Sequence, residues 1–230
     1  MKAAIIQSNF FPWKGYFDII HDADIFVFLE DVQYTKNDWR NRNKIKTPFG
    51  AKWITVPIKG GINQKIFEVQ ISNSTNWIEK QKRQIDAAYS RAQFYDCFKE
   101  EITNIYLKKF DLLSELNIYA IKKISKLLDI DTKFLNSTDI KINGIKTEKI
   151  IHICQEVGAT SYISGPAAKA YINENDFINA GITLKYKDYN SYPEYPQLWG
   201  KFDHNVSIID LLFNCGENTS NYIWGWRNGK

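Results

Sequence analysis

The sequence contains few cysteines and no common metal-binding motif. Its three cysteines, Cys97, Cys154 and Cys215, are widely spaced, so they form neither a disulfide framework nor a CxxC pair. It also has no HExxH sequence and no Asp-rich calcium loop. We therefore expect no metal site and no disulfide scaffold, as is usual in a reducing cytoplasm.

Signature motifs of several enzyme classes are absent as well. There is no GxSxG elbow, no GxGxxG after the first predicted strand and no GxxxxGK[ST] loop, which disfavours hydrolases, Rossmann dehydrogenases and P-loop NTPases. No stretch approaches the roughly 18 apolar residues of a membrane span. The N-terminal stretch MKAAIIQSNFFPW lacks the longer apolar region of a signal peptide. These absences predict a cytoplasmic protein with no membrane span and no bound cofactor.

Length and charge bound the remaining possibilities. The 230 residues are 44% hydrophobic, which is enough for a sizeable core, so we expect a single domain over 1–230. Within this domain, the stretch at about 75–130 is a candidate helical subdomain. The net charge of +4 is only mildly basic and predicts no nucleic-acid partner.

The first 31 residues predict a β-α-β unit. AAIIQ and DIFVFLED are short apolar runs typical of buried strands, and GYFDIIHDA between them has an amphipathic helical pattern. Gln7 and Asp31 follow these strands, at the sheet edge where ligands bind in open α/β folds. Strand and helix patterns interleave later, around a helical stretch from about Phe98 to Leu128. The predicted fold is α/β, a mostly parallel sheet with flanking helices and a helical middle region.

A basic, amide-rich stretch follows the second predicted strand. DVQYTKNDWRNRNKIKT combines guanidinium and ammonium groups with an indole, so it could hold phosphate oxygens and stack on a flat ring. This composition predicts binding of a nucleotide or a nucleotide-linked sugar. The alternative is a solvated basic loop, partly neutralised by Asp38. The residues concerned are Lys36, Trp39, Arg40, Asn41, Arg42, Asn43, Lys44 and Lys46.

A second aromatic stretch lies near the C-terminus. YNSYPEYPQLWGKFDHN alternates aromatic rings with prolines and includes Gln197, a composition that suits carbohydrate rings but also ordinary rigid loops. His204, beside Asp203, is the best base candidate among the three histidines.

These segments resemble the WbqC-like family. Members of that family have the patterns I-x-Q-P-x-[YF]-x-P-[WY]-x-G-Y-F and D-D-V-x-[YF]-x-K-x-x-W-x-N-R-N. The corresponding segments here are IIQSNFFPWKGYF and EDVQYTKNDWRNRNKIKT. The likeness continues through WITVPI, YISGPAAKAYINENDF, YPQLWGKF and VSIIDLLFNCG. It covers nearly the whole chain.

Two departures from the family pattern affect what can be transferred. Ser8 replaces the proline that follows the glutamine, which changes local backbone stiffness. Pro166, Ala167 and Ala168 replace a paired glycine ahead of Tyr171, in a loop expected to approach the ligand. The substrates of other members are therefore not transferred to this chain.

The resemblance implies a transferase of bacterial surface-polysaccharide (O-antigen) biosynthesis. The expected reaction moves an acyl or aminoacyl group onto the amine of a nucleotide-linked amino sugar. The donor of that group is either free or bound to a carrier. The alternatives are a metal-independent glycosyltransferase and a non-catalytic partner that binds nucleotide sugars. Residues that match the family pattern are Gln7, Asp31, Lys36, Trp39, Asn41, Arg42, Asn43, Tyr171, Gln197 and Asp210.

The chemistry of acyl transfer suggests roles for several of these residues and for His204. Acyl transfer to an amine needs a base and donors to the carbonyl oxygen. Asp31 or His204 is the expected base, and Asn41, Asn43 or Lys36 the expected oxyanion donor. Substrate binding is expected from Gln7, Lys36, Trp39, Arg42, Tyr171 and Gln197.

Overall fold

The computed structural model describes residues 1–61, 63–170 and 172–229, which divide into two compact units. The first unit comprises Met1–Gln7, Gly15–Asp31 and Ile130–Ser191. The second comprises Ser8–Lys14, Val32–Asp129 and Tyr192–Lys230. Each unit therefore draws on segments that are distant in sequence.

A parallel sheet forms the centre of the first unit. Within the described residues it has five strands, in the order β7-β2-β1-β8-β9, and every neighbouring pair is parallel. The predicted mostly parallel sheet is confirmed. The strands are β1 (Lys2–Ile6), β2 (Ile25–Phe28), β7 (Lys133–Asn136), β8 (Ser161–Ser164) and β9 (Thr183–Tyr186).

Helices flank this sheet, as predicted. They are α1 (Lys14–Asp22), most of which belongs to this unit, α5 (Lys146–Glu156) and α6 (Glu174–Asn179). β1, α1 and β2 form the predicted β-α-β unit, and the apolar side chains of β1 and β2 are buried except for the half-buried Ile6. The helix α5 stops before Gly158, whose φ of +72° is the left-handed conformation common after a helix end.

The second unit contains two antiparallel strand pairs among the residues that the structure describes. β3 (Arg42–Thr47) pairs with β4 (Gly50–Thr55), and the short β5 (Ile58–Lys59) pairs with β6 (Gln70–Ile71). The basic stretch is thus partly a strand, and side chains alternate between its two faces. Lys44 lies opposite Trp53 in this hairpin.

The described residues of the second unit also form helices, the first three of which are the predicted helical middle region. They are α2 (Trp77–Tyr89), α3 (Tyr95–Leu107), α4 (Leu113–Leu127) and the later α7 (Ile208–Cys215). α7 ends at Gly216, where φ is +56° and a Cβ atom would collide with the Phe94 ring. No helix in the described ranges has both the length and the apolar composition needed to cross a bilayer.

Candidate functional site

Part of the basic stretch forms an exposed surface of cations on indoles. The Arg42 guanidinium carbon lies 4.2 Å from the centre of the Trp53 ring, and the Lys44 ammonium lies 5.2 Å from it. The rings of Trp39 and Trp53 are 5.4 Å apart, and about two fifths of each side chain is exposed, 41% and 40%. We call Trp39, Arg42, Lys44 and Trp53 the cationic tryptophan surface.

The other cations of the stretch have different surroundings. Arg40 is paired with Asp38 at 2.9 Å, so its charge is neutralised locally. Lys46 is buried and donates to the side-chain oxygen of Gln197 at 2.6 Å. Lys36 is exposed. A phosphate group would therefore meet Lys36 and the cationic tryptophan surface rather than the whole cluster.

A cavity of about 230 Å³ adjoins this surface. We call it the asparagine cavity because three amides line it together with two indoles. The side-chain oxygen of Asn9 is buried and has no hydrogen-bond partner among the described residues, so it can accept a bond from a ligand. The lining residues are Asn9, Pro12, Trp13, Trp39, Asn43 and Asn205.

Asn43 shapes one wall of the asparagine cavity. Its amide nitrogen donates to the carbonyl oxygens of Phe10 at 3.2 Å and Phe11 at 2.7 Å. Phe11 has a φ of +40°, a strained value for a non-glycine residue that these bonds help to hold. Asn41 is also buried and donates to the carbonyl of Val56 at 3.1 Å. The two asparagines among the three predicted oxyanion donors therefore already bond to the backbone.

A buried network of hydrogen bonds is connected to the loop that carries His204. Asp210, in α7, accepts hydrogen bonds from the hydroxyls of Tyr89 at 2.8 Å and Tyr195 at 2.7 Å, and from the amide of Gln197 at 2.7 Å. Burial raises the pKa of Asp210, while these bonds and the Lys46 charge oppose that rise. We call Lys46, Tyr89, Tyr195, Gln197 and Asp210 the Asp210 network.

Gln197 connects this network to the loop that carries His204. Its amide nitrogen donates to the carbonyl of Asp203 at 3.1 Å, and its oxygen accepts from the N–H of Asp203 at 2.9 Å. The Asp203 carboxylate in turn accepts from the N–H of Asn205 at 2.8 Å. His204 is therefore held between two anchored residues, next to a residue that lines the asparagine cavity.

His204 has the properties of a neutral base. Its Nδ1 atom is buried and bonds to no described residue, and its ring packs edge-on against Phe202 at 4.6 Å. Burial lowers the pKa of His204, as does the charge of Lys14, against the opposing charges of Glu194 and Asp203. The imidazole is therefore unprotonated at neutral pH and can accept a proton.

Asp31 and Gln7 belong to the first unit and follow adjacent parallel strands, as predicted. The Asp31 carboxylate forms an ion pair with Lys149 and accepts a bond from the Ser137 hydroxyl at 2.6 Å. Burial raises the pKa of Asp31, but these bonds outweigh it and the net pKa lies below the ordinary value. Because the Asp31 carboxylate is paired in this way, it is a weak base. This favours His204 as the base.

The remaining predictions concern Tyr171 and metal ligands. Tyr171 lies outside the described residues. Among the described residues, Asp18, His21 and Asp22 bring potential metal-ligating atoms together. The Lys187 ammonium lies 2.8 Å from the Asp18 carboxylate and 2.6 Å from that of Asp22, so both carboxylates already pair with one cation.

The structure adds site residues that the sequence did not single out. Asn9, Trp13 and Asn205 line the asparagine cavity, and Trp53 completes the cationic tryptophan surface. Asn9 and Trp13 lie within the family-like motif IIQSNFFPWKGYF, and this motif was the sequence signal that could have identified them as site residues. Trp53 lies in WITVPI, one of the segments that resemble the family.

Fold and site together define an α/β protein with a cation-and-indole surface beside an amide-lined cavity. A model of the WbqC-like protein family matches residues 7–222, so the chain belongs to that family. It is also 43% identical over 225 residues to Rv1507c, an uncharacterised protein of Mycobacterium tuberculosis, covering 96% of this chain and 97% of that protein. No solved structure matches the chain.

Proposed function

We propose that the protein is a cytoplasmic transferase of bacterial surface-polysaccharide (O-antigen) biosynthesis. It moves an acyl or aminoacyl group onto the amine of a nucleotide-linked amino sugar. The observation that supports this most is that Trp39 belongs to both the asparagine cavity and the cationic tryptophan surface. A sugar and the phosphates attached to it would thus find suitable groups side by side.

The asparagine cavity suits one sugar ring. Its volume of about 230 Å³ is below the roughly 300–1,000 Å³ of pockets for drug-sized ligands. Indoles pack against the C–H groups of a sugar, and amides bond to its hydroxyl and amine groups. The diphosphate would bind Arg42 and Lys44, because guanidinium and ammonium groups form charge-assisted bonds with phosphate oxygens.

The proposed reaction needs a proton acceptor beside the sugar amine. The amine nitrogen attacks the carbonyl carbon of the acyl donor, a C–N bond forms, and the bond to the donor's leaving group breaks. His204 takes the proton from the attacking nitrogen and returns it to the leaving group. Lys36 is the predicted oxyanion donor that has an exposed charge, since Asn41 and Asn43 bond to backbone carbonyls. Gln7, Asp31 and Tyr171 stay predictions.

A transfer assay tests this proposal. The purified protein is incubated with UDP- or dTDP-linked amino sugars and with acyl thioesters or aminoacyl donors, including carrier-bound ones. We expect mass spectrometry to detect the nucleotide sugar with the acyl group added, and no product when the sugar amine is already acetylated. Transfer of the sugar onto an added acceptor sugar, with release of the free nucleoside diphosphate, would instead indicate a glycosyltransferase. Tight binding without any product would indicate a non-catalytic partner.

The cationic tryptophan surface gives a separate binding prediction. Arg42→Ala should weaken nucleotide-sugar affinity by about 1.5–3 kcal/mol, the range for hydrogen bonds to charged groups, and should flatten its salt dependence. Trp39→Ala should weaken binding but leave the salt slope nearly unchanged, because stacking is less sensitive to ions. Calorimetric titration at two ionic strengths measures both effects.

Arg83→Ala is the matched control for this titration, because Arg83 is an exposed arginine of α2 outside the surface. It should keep the wild-type affinity and salt slope. Each variant must melt cooperatively near the wild-type temperature. Unchanged affinity in Arg42→Ala would contradict this prediction and would indicate that the basic stretch is a solvated loop.

A further inference from the structure

A second and larger cavity lies between β4 and the start of α2 in the second unit. Its volume is about 440 Å³, and two indoles, Trp53 and Trp77, form part of its wall. Asn76, Lys80 and Gln84 add amide and ammonium groups to the lining. We call it the α2 cavity.

The walls of the α2 cavity are fixed by bonds between elements. The Gln81 amide donates to the carbonyl of Thr55 at 2.7 Å and accepts from the Tyr106 hydroxyl at 2.9 Å, which joins α2 to β4 and to α3. Trp77 is only 8% exposed and packs edge-on against Tyr106 at 6.1 Å. The cavity is therefore preformed, which lowers the entropic cost of binding a ligand.

The polar groups at its mouth are available to a ligand. The side chains of Asn76, Lys80 and Gln84 form no hydrogen bond with any other residue in the described part of the chain. Amides can donate to and accept from the ring edge of a nucleobase, and indoles stack on its face, a contact that every base can make. The lining therefore combines the two features that base recognition requires.

Trp53 links the α2 cavity to the site proposed above. Its ring carries Arg42 and Lys44, borders the α2 cavity and contacts Trp39, which borders the asparagine cavity. Arg42 and Lys44 thus lie beside a pair of neighbouring indoles, Trp39 and Trp53, one of which borders each cavity. A ligand that extends from one cavity to the other over these indoles would have a ring at each end and anionic charge between the rings.

We infer that the α2 cavity binds the nucleoside part of a nucleoside diphosphate sugar. The base packs against the indoles with its edge near Gln84 and Asn76, and the diphosphate meets Arg42 and Lys44. The inference rests on the proposed function for the sugar at the other end. The relative volumes agree with this orientation, because a nucleoside is larger than one sugar ring.

Binding of a nucleoside diphosphate without any sugar tests the inference. We use UDP and dTDP as probes, with CDP, ADP and GDP for comparison, in calorimetric titrations of the full chain. Thr75→Trp places a bulky side chain at an exposed position of the cavity lining and should lower the affinity at least about tenfold by occupying the space. Gln84→Ala should lower it about threefold to tenfold by removing one amide contact.

Arg83→Ala serves again as the control on the same helix and should bind the probe like the wild type. Absence of binding by any nucleoside diphosphate, or wild-type affinity in Thr75→Trp, would overturn the inference. If the probe binds as expected but no acyl transfer is found, the cavity assignment stands and the proposed reaction fails. If transfer occurs and its KM is unaffected in Thr75→Trp, the reaction stands and the cavity assignment fails.

Discussion

Replacing His204 with glutamine should lower the rate of acyl transfer by roughly 10²–10⁴-fold, the usual contribution of a positioned general base. Glutamine keeps a polar side chain of similar reach but cannot accept a proton at neutral pH. Affinity for the nucleotide sugar should change little, because the variant retains both cavities. Single-turnover kinetics with the transfer assay, together with calorimetric binding, separate the two effects.

His21→Gln is the matched control for this substitution. His21 lies in α1 of the first unit, where its ring bonds to Asp22 at 3.0 Å. The control should retain the wild-type rate. A rate for His204→Gln within a few-fold of the wild type would contradict the assignment and leave Asp31 as the predicted base.

The pH dependence provides a further check on His204. Because burial and Lys14 lower its pKa, the wild-type rate should be flat at neutral pH and fall only in acid, as the imidazole becomes protonated. Lys14→Met removes one cause of that lowered pKa, so its acid limb should shift to higher pH. A purely structural role for His204 would not predict this shift.

The sequence allowed the fold of the first unit to be predicted because local signals were strong there. Short apolar runs on either side of an amphipathic segment indicated β1, α1 and β2, and the structure confirms them. The strand β3 was harder to predict, because Arg42, Asn43 and Lys44 are not typical strand residues. It forms because the pairing with β4 places Ile45 in the core and lets the charged side chains lie on Trp53.

The candidate site was predictable in its chemistry but not in its geometry. Composition alone placed cations, amides and an indole together, yet it could not show that Lys46 is buried while Arg42 lies on an indole. It also could not show that Gln197 bonds within the Asp210 network. Those outcomes depend on contacts between segments that meet only in the folded protein, and the bond between Lys46 and Gln197 joins residues 151 positions apart.

The position of His204 depends on the Asp210 network. Gln197 makes bonds to Asp203 on one side and to Asp210 on the other, so the loop is anchored to a buried carboxylate. Four side-chain donors converge on that carboxylate, from Tyr89, Tyr195, Gln197 and Asn214. Asp210 and Gln197, which both match the family pattern, thus support the loop that carries His204. Binding of substrate by Gln197 stays a prediction.

Asp210→Asn should lower the free energy of unfolding by about 1–3 kcal/mol, the cost of leaving a buried hydrogen-bond donor without its partner. An amide offers one acceptor oxygen where the carboxylate has two, so donors among Tyr89, Tyr195 and Gln197 lose their partner. Chemical denaturation measures the loss. Glu100→Ala, an exposed acid of α3, should change stability by less than about 0.5 kcal/mol.

The loss should also depend on pH in a defined direction. Because burial raises the pKa of Asp210 in the folded state, this group contributes most stability below the ordinary value of 3.8 and loses it as pH rises through the raised pKa. Asparagine does not titrate. The stability gap between the wild type and Asp210→Asn should therefore widen as pH falls from 7 toward 4, and a gap that narrows in acid would contradict the raised pKa.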